Sequence, residues 1–256
     1  MKQRIFITGA SSGIGEALAV YYAGKGAVLG LAARRTDALA ALNERLGGGH
    51  ACYPLDVTDA AALHDAAQDF IARFGAPEIV LASAGVSAGT LTEHAEDLAA
   101  FRRLMDINVY GMAATFAPFI PAMKAAGGFR RLVGLASVAG IRGLPGAEAY
   151  SASKAATIAY LESLRLEMRA CGIKVVTIAP GYIETPMTAV NPYRMPFLLP
   201  AEEAARRFAA AIETGNSYTV IPWQMGVLAK LLRVLPNAVY DRLFAGAPRK
   251  PRGLLK

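Results

Sequence analysis

Short apolar runs alternate with amphipathic stretches along most of this chain. Runs near Arg4–Thr8, Ala27–Ala33, His50–Leu55, Glu78–Ala82, Arg131–Ala136, Ile173–Ala179 and Tyr218–Ile221 predict strands. Helical spacing lies between them, at about 13–25, 37–46, 58–74, 96–126, 149–170 and 200–214. Gly47-Gly48-Gly49 ends the second helix, and Thr58-Asp59 offers an N-cap for the third. Pro118 and Pro121 should bend or interrupt the long fourth stretch. Strands alternating with helices imply one α/β domain, a doubly wound parallel sheet of about seven strands with helices on both faces. Residues 1–222 would form this unit, with a substrate loop at about 182–200. Residues 223–256 would add a helical extension and a basic tail.

In open α/β sheets, ligands bind at the carboxyl ends of the strands. Gly9, Arg34, Asp56, Ser83, Ser137 and Pro180 all fall just after predicted strands. The first of these opens Gly9-Ala10-Ser11-Ser12-Gly13-Ile14-Gly15, a glycine turn between strand and helix. Such a turn sets a pyrophosphate on a helix N-terminus, as in Rossmann-like sheets. Its spacing, G-x-x-x-G-x-G, matches the common dinucleotide fingerprint only loosely. At the other end of the unit, Tyr150 and Lys154 are four apart and share one helix face. A nearby ammonium would lower the phenol pKa and make it a usable proton donor and acceptor. A Ser137 hydroxyl beside it could hold a carbonyl oxygen. On a solvated helix, a tyrosine and a lysine so spaced would mean nothing; the glycine turn and Ser137 give the pair its chemistry.

Together these residues resemble the short-chain dehydrogenase/reductase family, in order from Thr8 to Thr185. Thr8 to Gly15 looks like its cofactor motif, and Asp56-Val57 like its adenine-side pair. Asn108, Ser137, Tyr150 and Lys154 look like its catalytic four. Pro180-Gly181, followed by Thr185, resembles its nicotinamide-side segment. The resemblance implies cofactor contacts from Gly9, Ser11, Ser12, Gly13, Ile14, Gly15, Asp56, Val57, Ala84 and Gly85. It implies the same of Tyr150, Lys154, Pro180, Gly181, Ile183 and Thr185. Lys154 would also grip the nicotinamide ribose. Asn108 would hold Lys154 through a water relay, or else satisfy neighbouring backbone. Dimers or tetramers are implied as well. One departure is visible: Ala82-Ser83-Ala84-Gly85 stands where the family has Asn-Asn-Ala-Gly.

A site preferring NAD(H) carries an acid after the second strand. Here the segment reads Leu31-Ala32-Ala33-Arg34-Arg35, with no carboxylate. Guanidinium forks suit a 2′-phosphate, so NADP(H) is expected, with NAD(H) as the other candidate. Arg34 is the first choice, Arg35 a weaker second and Ser12 a minor contact. The expected function is NADP(H)-dependent interconversion of a carbonyl and a secondary alcohol on a moderately hydrophobic small molecule. The alternatives are a catalytically idle dinucleotide sensor, and an epimerase or dehydratase on the same scaffold. Val86, Val138, Ile141, Leu144, Tyr182, Met187, Met195, Phe197 and Leu199 are candidate pocket walls. The loop carrying the last five is either a lid or core packing.

Composition narrows the rest. The chain has 256 residues and no apolar run long enough to span a bilayer. It enters the first strand almost at once, so no signal peptide is expected and the expected setting is the cytoplasm. Cys52 and Cys171 are expected to be buried, reduced thiols. His50, His64 and His94 fall in no ligand spacing, so no metal is expected. The net charge of +7 is partly local, in Arg249, Lys250, Arg252 and Lys256. That tail reads as solvated and disordered; no aromatic–basic interleaving supports nucleic acid. Residues 223–244 mix apolar and basic side chains around Pro236. They could cover the site, pack in the core or on a partner subunit, or lie on a membrane surface.

Overall fold

A computed structural model describes residues 2–253. Seven strands form one sheet: β1 (Arg4–Thr8), β2 (Val28–Ala33), β3 (Ala51–Pro54), β4 (Ile79–Ala82), β5 (Arg131–Leu135), β6 (Lys174–Pro180) and β7 (Tyr218–Ile221). Their order is β3-β2-β1-β4-β5-β6-β7, and every pairing is parallel. The winding reverses where β1 meets β4, the switch point at which open α/β sheets bind ligands.

The helices are α1 (Gly13–Gly24), α2 (Thr36–Arg45), α3 (Ala60–Phe74), α4 (Asp97–Met105), α5 (Gly111–Phe116), α6 (Ile120–Ala126), α7 (Glu148–Met168), α8 (Pro186–Ala189), α9 (Ala201–Thr214), α10 (Trp223–Val234) and α11 (Asn237–Phe244). Strand residues alternate between two cores. Ile5, Ile7, Leu29, Leu31 and Val176 bury against Leu18 and Tyr22 of α1 and Phe208 and Ile212 of α9. Phe6, Val80, Leu132 and Val175 bury against Phe70 of α3, Phe116 of α5 and Leu161 of α7. Both faces are covered, which is why the strands read as nearly continuous apolar runs.

The fourth helical stretch departs most from expectation. Between α4 and α5 the turn widens into a π-helix at Asp106–Tyr110. Pro118 falls in the break between α5 and α6, where its missing N–H breaks no ladder. Pro121 sits in the first turn of α6, the position a proline tolerates. Asp59 caps α3 as expected, accepting from Ala62 N at 3.0 Å. Among the described residues, no helix is long and apolar enough to cross a membrane.

Candidate active site

A cavity of about 500 Å³ opens at the carboxyl ends of β1, β2 and β4 and runs into a smaller one of about 100 Å³ beside β5 and β6. The glycine turn forms the floor of the larger one. Gly9 has φ +69°, a backbone L side chains avoid, and a Cβ there would stand 2.7 Å from the Ala84 backbone. A Cβ on Gly15 would stand 2.7 Å from Ser83 Oγ and 2.8 Å from the Gly9 carbonyl carbon. The turn therefore touches the β4 loop backbone to backbone, and the start of α1 is pressed against the turn and Ser83 Oγ. Gly15→Ala should push them apart, lower Tm and weaken dinucleotide binding at least ten-fold; a fluorescence titration that matches the unaltered protein would contradict this packing.

Ser12 begins α1 in extended conformation, without a side-chain cap. Ser11, Ser12, Gly13, Ile14 and Gly15 all line the large cavity, so the open amides of the helix start meet it. Ser83 Oγ donates to the Thr8 carbonyl, bracing β1 to β4.

Arg34 and Arg35 lie exposed at the far rim of the same cavity. Arg35 donates to the Ser11 carbonyl at 2.9 Å and to Ser11 Oγ at 3.3 Å, tying the rim to the glycine turn. Asp56, Val57, Ala84 and Gly85 complete the wall. Burial raises the Asp56 carboxyl, but donors from Thr58 and the Arg103 guanidinium outweigh it and leave the group below its ordinary value. Arg103 Nη2 reaches Asp56 at 2.7 Å.

The smaller cavity holds the proton chemistry. Ser137, Tyr150 and Lys154 line it, with Pro180, Gly181, Ile183 and Thr185 opposite. Ser137 follows β5 and starts a short turn, its Oγ accepting from Ala139 N at 3.1 Å. Tyr150 and Lys154 project from the first two turns of α7. Lys154 is 6 % exposed and donates to the Leu135 carbonyl at 2.8 Å. Its Nζ lies 5.9 Å from the Tyr150 ring centre.

One expectation is corrected here. Burial raises the Tyr150 phenol above its ordinary value, opposed by the Ser137 hydroxyl. Burial also lowers Lys154, to about 8. Both groups have lost water, and the ammonium spends its contact on a backbone carbonyl. At neutral pH the tyrosine is thus a phenol, the form that gives a proton.

Asn108 lines neither cavity. In the π-turn its Oδ1 accepts from Val86 N at 2.9 Å, and its Nδ2 donates to Val86 O and Ser153 Oγ, both at 3.0 Å. It pins the β4 loop to α7. A Cβ on Gly85 would lie 3.3 Å from Asn108 Oδ1 and 3.7 Å from Lys154 Nζ, so glycine lets the three meet.

The loop after β6 is tied back on itself. Leu199 N donates to Tyr182 O at 3.0 Å and Glu184 N to Leu199 O at 2.8 Å. Thr188 bonds back to the Ile183 carbonyl and closes a capping box with Thr185. Of the expected pocket walls, Val86 and Met187 line the cavities. Val138, Ile141, Leu144, Tyr182, Met195, Phe197 and Leu199 do not, and Phe197 is 51 % exposed. Tyr193, in the same loop, lies edge-on to Tyr182 with ring centres 6.4 Å apart and lines neither cavity.

The basic tail is not solvated and disordered as expected. Gly89 N donates to Pro251 O at 3.0 Å, and Arg252 pairs with Glu96 and Asp97 at 3.0 and 2.6 Å. Arg249 packs on Gly146, and Lys250 donates to the Met187 carbonyl at 3.1 Å. The strap therefore joins the loops after β4, β5 and β6 at the cavity mouth. Lys256 lies outside the described residues. Cys52 and Cys171 are free, and both are partly exposed rather than buried.

The family model for short chain dehydrogenases matches residues 3–194. An uncharacterized oxidoreductase of Myxococcus xanthus is 38 % identical over 240 residues, 92 % of this chain and 93 % of that one. A Burkholderia cenocepacia short chain dehydrogenase solved in complex with NADP superposes with a TM-score of 0.81 at 25 % identity, over 94 % of this chain and 97 % of that one. A Burkholderia phymatum relative solved in complex with NAD has the same fold, with a TM-score of 0.82 at 24 % identity, over 99 % and 98 % of the two chains.

Proposed function

Because the chain belongs to the short-chain dehydrogenase/reductase family, oxidoreductases acting on CH–OH groups with NAD(P), we propose that it interconverts a carbonyl and a secondary alcohol on a moderately hydrophobic small molecule, with NADP(H) as its preferred partner. The observation that carries this reading is that Ser137, Tyr150 and Lys154 line one small cavity opening into the glycine-floored one. Residues 1–222 hold this machinery and 223–256 extend it.

The dinucleotide fits the larger cavity: small residues leave its floor free of side chains, and the start of α1 offers unpaired amides. Gly9 and Ser11–Gly15 would hold its pyrophosphate, Asp56, Val57, Ala84 and Gly85 its adenosine half, and Pro180, Gly181, Ile183 and Thr185 its nicotinamide end. When bound, that group supplies or takes up the hydride. The rest is done by this chain. Tyr150 Oη gives its proton to the substrate oxygen, or takes it in the reverse direction. Ser137 Oγ donates to the same oxygen as negative charge grows on it. Lys154, held against Leu135, steadies the charge of the phenolate left behind. Asn108 is a positioning residue that fixes Val86 and α7.

NADP(H) preference rests on Arg34, which stands exposed at the cavity rim in a segment, Leu31–Arg35, that carries no carboxylate, while Arg35 is turned to Ser11. Arg34→Ala is expected to weaken NADPH roughly 10- to 100-fold, the cost of a lost charge-assisted contact, and NADH by less than about two-fold. Paired KM measurements check this. Equal losses with both cofactors would remove the assignment.

A further inference from the structure

Helix α10 wears its large side chains on the outside. Its inward positions are Met225, Gly226 and Ala229, and a Cβ on Gly226 would already stand 3.0 Å from Val220 of β7. Its outward positions are Trp223, Val227, Leu231 and Val234, exposed by 67, 50, 59 and 77 %. Steps of four, four and three residues put them in one stripe. Leu243 of α11 adds another apolar side chain, 63 % exposed. A helix that turns four large apolar side chains outward has its second surface elsewhere.

The stripe is rigidly mounted. Arg142 donates to the carbonyls of Leu232, Arg233 and Leu235 and, at 3.0 Å, to Asn237 Oδ1, locking the corner between α10 and α11. Tyr240 Oη donates to the Gly143 carbonyl at 2.6 Å. Charge is one-sided: α10 carries Lys230 and Arg233 and no acid, and α11 carries Arg242 against Asp241. A two-fold contact centred on this stripe would set Lys230 and Arg233 close to their own copies. An anionic surface would welcome them. Twelve residues are far too few to span a bilayer, so the helix would lie along it.

We propose that α10 and α11 form an interfacial anchor that docks this protein on anionic lipid, with the stripe in the headgroup boundary and Lys230, Arg233 and Arg242 over the phosphates. The experiment has a built-in reporter, because Trp223 is the chain's one tryptophan. The full chain is mixed with phosphatidylcholine vesicles, with and without phosphatidylglycerol. Trp223 emission should move to shorter wavelength only with the anionic vesicles. Roughly ten-fold more protein should sediment with them than with neutral ones, and salt should reverse it. Leu231→Glu with Val234→Glu should abolish both effects at unchanged Tm and NADPH binding. The proposal falls if neither signal responds to anionic vesicles. It falls equally if Trp223 emission is already blue and shifts red on dilution, which would mean that a second copy covers the stripe.

Discussion

Tyr150→Phe is expected to lower kcat at least 10²- to 10⁴-fold, the range a positioned general acid contributes. The ring stays, so its packing against α7 and the cavity wall stays; only the hydroxyl goes. Nothing else lining the small cavity can replace it: Ser137 has the wrong acidity, and Lys154 is bound to Leu135. NADPH affinity should change by less than about three-fold, since the pyrophosphate cradle lies at the other end of the cleft. A single-turnover assay beside a binding titration separates the two. Turnover above roughly a tenth of the unaltered rate would remove Tyr150 as the proton donor.

Lys154→Met is expected to stabilise the fold while abolishing turnover. Burial lowers the ammonium to about 8 from an ordinary 10.5, because it disfavours the charged form. That cost is of order 3 kcal/mol. Losing the hydrogen bond to Leu135 takes back about 1 kcal/mol. The remainder corresponds to a Tm rise of roughly 4–8 °C at pH 7 for a chain of this size. The sign with pH follows from proton binding: between pH 8 and 10.5 the unfolded lysine holds a proton that the folded one has lost. The penalty is therefore fully present below pH 8 and is relieved as pH rises. The Tm advantage of the variant should hold up to about pH 8 and shrink from there towards pH 10.5. A variant less stable at pH 7, or an advantage that does not change with pH, would show that burial is not what shifts this lysine.

The fold was largely legible because a parallel sheet buried on both faces leaves apolar runs too regular to miss, and Gly9, Asp59 and Pro236 marked their boundaries with local backbone chemistry. The site was legible for a related reason. Residues just after strands converge by topology, so Ser137 and Pro180 could be placed without knowing any contact. What stayed hidden depends on contacts distant in sequence. The π-turn at Asp106–Tyr110 has no periodicity of its own, so the use of Asn108 as a clamp on Val86 could not be read. The Tyr150 phenol was misjudged because spacing shows that Lys154 is near, but not that burial raises the phenol. The tail looked like free charge because Glu96 and Asp97, which hold Arg252, lie more than 150 residues away. The role of α10 stayed open in the sequence because only the fold shows that Gly226 faces the sheet and the stripe faces outward.

The most direct test follows one atom. NADPH deuterated at the transferable C4 position is incubated with the full chain and a panel of hydrophobic ketones and aldehydes, and the alcohols are read by mass spectrometry. The proposed chemistry predicts one deuterium on the carbinol carbon of at least one product, lost in Tyr150→Phe although that variant still binds NADPH. Tight NADPH binding with no label reaching any carbonyl on the panel would contradict it and leave a protein that holds a dinucleotide without using it.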